Sequence, residues 1–360
     1  MDETSGTNVA GRAGDGTLDE ALERLHGSGP ERLGWLTNHA PMAVEALVRN
    51  GHGARVHRWI DAYRPKLEER PAGLDRITEE NWRERLGDPR YLSDWARYFA
   101  ERLAERPWPE VLTEWWPRLL PGIAAGATHP VIRVGHGVRT LLADGASGPR
   151  VAELAEGLGY WAARHQPLPA GIVAAPAVGG AEEALASVEP VADRTGGINH
   201  RLGQVKRLPA WAGALPEEPA AARARLAGLV RAAAGYYAGH AHGEPVMLVH
   251  AVTAPNAVLR VLPALPPALW RPSVAAAWSA SAAVVAAYAP DGGPVWGGDA
   301  PGGGGTVPTG ADEVFARAAE HGDEHVIKLS DSVLDLLVET PDDPLPAVAA
   351  LRAVELVEPD

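Results

Sequence analysis

His129-Pro-Val-Ile-Arg-Val-Gly-His-Gly-Val-Arg-Thr-Leu-Leu142 is the stretch whose reading decides the fold. Its periodicity is helical. His129 and His136 stand seven residues apart, so at about 100° per residue they differ by only about 20° around an α-helix. On one face, the two imidazoles read as a pair able to bind one ion. The same periodicity recurs at Pro41–Asn50, Arg55–Tyr63, Leu92–Glu105, Pro109–Leu120, Val151–His165, Ala220–Gly239, Pro245–Leu262, Val274–Tyr288, Ala311–Glu320 and His325–Val338. A first helix begins at Thr17, where Thr-Leu-Asp-Glu makes a capping box, and runs toward Gly27. The β-branched, period-two runs that mark strands are missing, while Ala, Leu, Arg and Glu dominate. The expected fold is all-α, a large multi-helix bundle without significant sheet.

The chain of 360 residues is long enough for two domains. We expect a loose, disordered tail over 1–16 and one all-α domain over 17–360. The Pro-, Ala- and Gly-rich segment 167–180 allows a subdivision, and the Gly-rich run within 297–310 reads as a flexible loop. A net charge of −13, with no stripe of Lys and Arg, argues against nucleic acid and against an anionic membrane. The longest transmembrane candidate, Val274–Ala289, is short, Ala-rich and flanked by prolines. The N-terminus has no apolar signal core, and a cytoplasmic location is expected. With no cysteine, disulfides, Fe–S clusters, thiolate zinc and Cys nucleophiles are excluded.

Several motifs are absent: G-x-G-x-x-G after a strand, G-x-x-x-x-G-K-[ST], G-x-S-x-G and H-E-x-x-H. His321-Gly-Asp-Glu-His325 matches the inverted zinc-protease pattern H-x-x-E-H, but little chain remains downstream for a third ligand. Trp115 and Trp116 fall in an amphipathic helix and read as core.

Of the thirteen histidines, His26, His52, His57, His165 and His200 read as ordinary surface or hydrogen-bonded residues. Five others differ in context. His39 sits at a helix entry, with Pro41 suited to the first turn. His250 lies within Val-Met-Leu-Val-His-Ala-Val, where an unpaired imidazole would cost about 1–3 kcal/mol. With His129, His136 and His325, these residues suggest one shared ion. Imidazole without thiolate suits iron, copper, zinc or nickel, and is unlike a carboxylate cage for calcium or magnesium. The oxygen ligand that an iron site would want is not supplied by a consistent Asp or Glu. Lys328, one turn from His325, offers one: desolvation lowers a buried lysine's pKa, and the neutral amine can add carbon dioxide to become a carbamate. A snorkelling lysine, or one paired with Asp331, is the plainer alternative.

The strings Thr37-Asn-His-Ala-Pro-Met42, Trp115-Trp-Pro-Arg-Leu-Leu-Pro121, Gly126-Ala-Thr-His-Pro-Val-Ile-Arg133, Gly135-His-Gly-Val-Arg139, Leu248-Val-His-Ala-Val-Thr253 and His325-Val-Ile-Lys328 together resemble the questin oxidase-like family. Their order and spacing carry the likeness, which runs from about Leu18 to about Val338. The resemblance implies an oxygenase that cleaves a ring of an anthraquinone-type polyketide with O2. It also implies either a mononuclear, non-haem Fe(II) site of four histidines and a carboxylated lysine, or NADPH-dependent Baeyer–Villiger-type oxidation. Carried over by motif, the metal ligands are drawn from His39, His129, His136, His250 and His325, with Lys328 as the carbamate; Lys328 and His250 are the catalytic choices. Five histidines compete for four places, and one of the pair His129 and His136 is left for substrate or a water. Asn38, Thr253 and Asn256 are candidates to fix imidazole tautomers, and Arg133, Arg139 or Arg201 to hold NADPH phosphates. A non-catalytic helical binding protein is the alternative outside enzymology. The partners implied are a small aromatic substrate and O2.

Overall fold

The computed structural model describes residues 15–176, 179–211, 218–296 and 310–359. The expected tail over 1–16, except its last two residues, and the Gly-rich loop over 297–310, except Gly310, lie outside the described residues. Sixteen α-helices follow in order among the described residues: α1 (Asp15–His26), α2 (Ala40–Arg49), α3 (Val56–Tyr63), α4 (Trp82–Arg85), α5 (Leu92–Glu105), α6 (Trp108–Leu119), α7 (His129–Asp144) and α8 (Gly148–Arg164), then α9 (Ala181–Ala186), α10 (Ile198–Leu202), α11 (Pro219–His240), α12 (Pro245–Val261), α13 (Trp270–Tyr288), α14 (Ala311–His321), α15 (Glu324–Glu339) and α16 (Leu345–Leu356). The fold is predominantly all-α. Among the described residues two small sheets accompany it: β1 (Glu31–Arg32) pairs antiparallel with β2 (Leu36–Thr37), and β3 (Val173–Ala175) pairs parallel with β4 (Arg207–Pro209). The segment 167–180 is thus stitched by β3 to a strand more than thirty residues on.

The centre of the bundle is α7 with α12. From His129 to Leu141 every residue of α7 is buried, as is Leu248–Val261 of α12, so the polar side chains that both helices carry find their partners inside the bundle. Gly135 lets the two approach closely: a Cβ there would lie 2.6 Å from the Ala257 Cβ. Pro255, inside α12, cannot donate to the Ala251 carbonyl, and the Ser281 hydroxyl from α13 does so instead at 2.7 Å. By length and composition Pro245–Ala264 could cross a membrane, a different stretch from the one the sequence singled out, but 78% of its apolar window is buried inside this chain. Around this centre pack α2, α8, α11, α13 and α15. Trp82, Trp95, Tyr98, Phe99 and Trp115 form a cluster of edge-on and stacked rings beside α8, so Trp115 belongs to the core.

Candidate metal centre

Three helix starts and the second turn of a fourth converge on one buried point. His39 precedes α2, His129 opens α7, His325 is the second residue of α15, and His250 lies in α12. Each is aimed by its local chain. The Asn38 carboxamide accepts from the Ala40 N–H at 3.0 Å and donates to the Gly29 carbonyl at 3.1 Å, fixing the entry to α2. Before α15, Gly322 adopts φ +88° and ends α14, and the Asp323 carboxylate accepts from the N–H groups of His325 and Val326 at 2.8 and 3.1 Å. Before α7 the backbone is left-handed at three successive residues, Gly126 (φ +50°), Ala127 (φ +56°) and Thr128 (φ +67°). Two of these carry a Cβ, and such strain persists only where the surroundings impose it. Its consequence is local: the Gly126 carbonyl accepts from His129 Nδ1 at 2.5 Å.

The four imidazoles present ligand atoms that all lie within 4.8 Å of one another. His39 Nε2 and His129 Nε2 are 2.6 Å apart, and His129 Nε2 and His250 Nε2 are 2.8 Å apart. The tautomers follow from the other ring nitrogens. His129 Nδ1 faces the Gly126 carbonyl and His250 Nδ1 faces the Met247 carbonyl at 3.0 Å. A carbonyl only accepts, so both Nδ1 atoms carry hydrogen and both Nε2 atoms of the neutral rings are bare. Two lone pairs 2.8 Å apart repel unless a proton or a cation lies between them. A proton is disfavoured: burial first, then the neighbouring positive groups, including Lys328, hold His39, His129 and His250 well below the usual histidine value. The set therefore suits a metal ion. Two nitrogens about 2.1 Å from one ion lie about 3 Å apart at right angles and about 3.4 Å apart on a tetrahedron. The observed separations are nearer the former.

Lys328, one turn along α15, is wholly buried. Its Nζ makes no hydrogen bond among the described residues, and burial brings its pKa down to about 7. Beside it, Glu324 lies with an oxygen 3.8 Å from His39 Nδ1 and 2.7 Å from Arg32. Glu324 is a carboxylate that sequence reasoning missed, although it adjoins His325 in the chain. A cavity of about 530 Å³ opens onto the cluster and is walled by residues that include Trp35, Thr37, Tyr160, His165, Asn199 and Met247. That volume is within the range of small-molecule sites. His165, read from sequence as ordinary, thus faces the cavity.

Other residues singled out in the sequence are placed apart from the four histidines. His136 does not join the four: seven residues along a helix restore the angle but advance the chain by about 10.5 Å. It bonds instead to Glu45, Nδ1 to Oε2, at 2.6 Å. Asn38, Thr253 and Asn256 fix no imidazole; Thr253 donates to the Val249 carbonyl and Asn256 to Asp335. The H-x-x-E-H pattern is broken by Gly322, which puts His321 on α14 with its Nε2 on the Val357 carbonyl, so it has no zincin geometry. Arg133 and Arg139 are held by buried carboxylates and Arg201 stacks on Tyr288, so they do not form a common phosphate cradle.

A predominantly helical protein enclosing a buried four-histidine cluster beside a small-molecule cavity is the class that fold and site define. The family model described as Questin oxidase-like matches residues 36–332, and the chain belongs to that family. All four histidines and Lys328 fall within the matched span. No curated protein matches the chain. Family membership supports an enzyme of the oxidase or oxygenase type.

Proposed function

We propose that this protein is a mononuclear, non-haem iron oxygenase that opens a ring of an anthraquinone-type aromatic polyketide with O2. The observation that carries the reading is the pair of bare Nε2 atoms of His129 and His250 facing each other at 2.8 Å in a site too buried to hold a proton easily. His39, His129, His250 and His325 would hold the ion, and a carbamate on Lys328 would add an anionic oxygen. Forming it balances simply. The neutral amine lone pair bonds to the carbon of CO2, one C=O electron pair moves onto oxygen, and the nitrogen releases a proton. The product replaces an unpartnered buried nitrogen with an oxygen anion able to meet a metal. Bound ferrous iron would supply the one-electron chemistry that lets O2 react with an organic ring.

The chain's own groups would do the rest. Trp35 offers an aromatic face at the cavity, and Met247 a polarisable wall. The Tyr160 hydroxyl donates to Glu31 at 3.2 Å and stands 2.8 Å from the Thr37 hydroxyl. Burial and the Glu31 carboxylate push the Tyr160 pKa up, so it stays a phenol, and with its one proton on Glu31 its oxygen is left to accept from a substrate hydroxyl. Glu31 is itself held by Arg164 through two bonds, of 2.7 and 2.6 Å.

Elemental analysis of untagged protein from iron-supplemented culture tests the reading. Near-stoichiometric iron is expected, with O2 uptake on hydroxyanthraquinones that does not require NADPH. Zinc, or no metal at all, would overturn it.

A further inference from the structure

Below the histidines the same four helices meet a second time. Glu45 lies six residues past His39, His136 and Arg139 seven and ten past His129, Arg260 ten past His250, and Asp331 six past His325. At 1.5 Å per residue this second layer sits about 9–15 Å down each helix. His136 bonds to Glu45. Arg139 donates to both oxygens of Glu45 and, at 3.1 and 3.0 Å, to both oxygens of Asp331. Arg260 donates to Asp331 and to Asp335, each at 2.7 Å. Glu45, His136, Arg139, Arg260 and Asp331 are all buried.

Glu45, His136 and Asp331 bring ligand atoms within 4.8 Å of one another, but a second metal is not the reading. The guanidinium of Arg139 already lies against both carboxylates and that of Arg260 against one. Nor is stability a sufficient account, because a buried ion network is often no better than apolar packing of the same volume. What it supplies is register. The Gly135–Ala257 contact seats α7 on α12 but does not reach α2 or α15, whereas the forked guanidinium of Arg139 meets carboxylates on both of these helices and that of Arg260 meets Asp331.

We propose that Glu45, His136, Arg139, Arg260 and Asp331 are positioning residues for the histidine site. By fixing the axial register of α2, α7, α12 and α15 they bring the Nε2 atoms of His39, His129 and His250 to a common point, and metal affinity depends on them. This rests on the metal reading above.

The test is titration of the metal-free full-length protein with Co(II), followed by its visible absorption, well below each variant's Tm. Asp331→Asn and Arg260→Lys are compared with Glu153→Gln. Glu153 makes an equally buried pair with Arg133, at 2.5 and 2.8 Å, but ties α7 to α8, which carries none of the four histidines. Expected are affinities about tenfold or more weaker and an altered band for the first two, against affinity within about twofold and an unchanged band for Glu153→Gln. Arg260→Lys keeps the charge and loses only the fork, so it decides the matter if Asp331→Asn does not fold. Wild-type affinity and band in the network variants would overturn the positioning role, as would an equal loss in Glu153→Gln. Failure of the wild-type protein to bind Co(II) would instead overturn the metal reading, and this inference with it.

Discussion

The histidine layer and the ion layer occupy the same four helices, yet hydrogen-bond partners are distributed between them in opposite ways. In the ion layer the carboxylates of Glu45 and Asp331 are met by guanidiniums, and His136 by Glu45. In the histidine layer the Nε2 atoms of His39, His129 and His250 face one another, His325 Nδ1 stands 3.5 Å from an Asp323 oxygen, and Lys328 Nζ is buried without a hydrogen bond among the described residues. Burying a polar group without a partner costs free energy, so a protein that completes one layer and leaves its neighbour incomplete reserves the second for something it must bind. Burial alone would not have separated the two layers; the partners do.

The largest break in that contrast comes from removing a donor of the incomplete layer. His250→Ala and Lys328→Ala should each lose iron, falling from near one equivalent to background by elemental analysis of folded protein. Full iron occupancy in both would remove the proposed site.

Stability should move in opposite directions in the two layers. Asp331→Asn leaves the guanidiniums of Arg139 and Arg260 short of charge in a dry interior and should cost about 3–5 kcal/mol in denaturant unfolding of the metal-free protein. Lys328→Met removes an unpartnered nitrogen and should gain about 1 kcal/mol while losing metal, the exchange of stability for function expected of a binding site. If Lys328→Met were as destabilising as Asp331→Asn, Lys328 would be a structural residue.

Much of the contrast can be traced back to residues, and some of it cannot. Helical periodicity was enough to place α5, α7 and α12 to within a residue or two. It does not mark the short α4, α9 and α10, nor α16, whose Leu-Pro-Ala-Val-Ala-Ala-Leu start has little polar patterning, nor either strand pair, whose strands are too short to show alternation. The convergence of His39, His129, His250 and His325 was expected from the company each keeps in the sequence. Helical angle groups His136 with them, while the axial rise of seven residues sets it apart. Glu324 and the ion layer depend on which helices touch, and neighbouring residues in sequence do not encode that.

The layers should also titrate in different windows. In the ion layer Glu45 is held, against the upward push of burial, at about 2 instead of an ordinary 4.5 by Arg139 and His136. Its contribution is full above about pH 4.5 and lost as the pH falls toward 2. Lys328, depressed from 10.5 to about 7 by burial, acts at the other end. Between those values the unfolded chain binds the extra proton, so stability of the metal-free protein should rise with pH across the interval. Urea unfolding as a function of pH should show both slopes. Lys328→Met should flatten the alkaline one and leave the acid one, and an unchanged alkaline slope would assign it to another group.

The smallest expected effect lies at the cavity, outside both layers. Trp35 follows a turn in which Leu33 and Gly34 both take positive φ, and it is 55% exposed although it lines the cavity. Its indole approaches Gly197, where an added Cβ would lie 3.4 Å from the ring. Removing an aromatic face that meets a flat ring costs about 0.5–1.5 kcal/mol beyond the area lost. Trp35→Ala should therefore weaken binding of a hydroxyanthraquinone by about two- to tenfold, read as KM with kcat nearly unchanged, and should leave metal content and unfolding untouched. An equal fall in kcat would mean that Trp35 also sets the substrate's placement against the histidines, and the cavity wall and the metal layer would then have to be treated as one site.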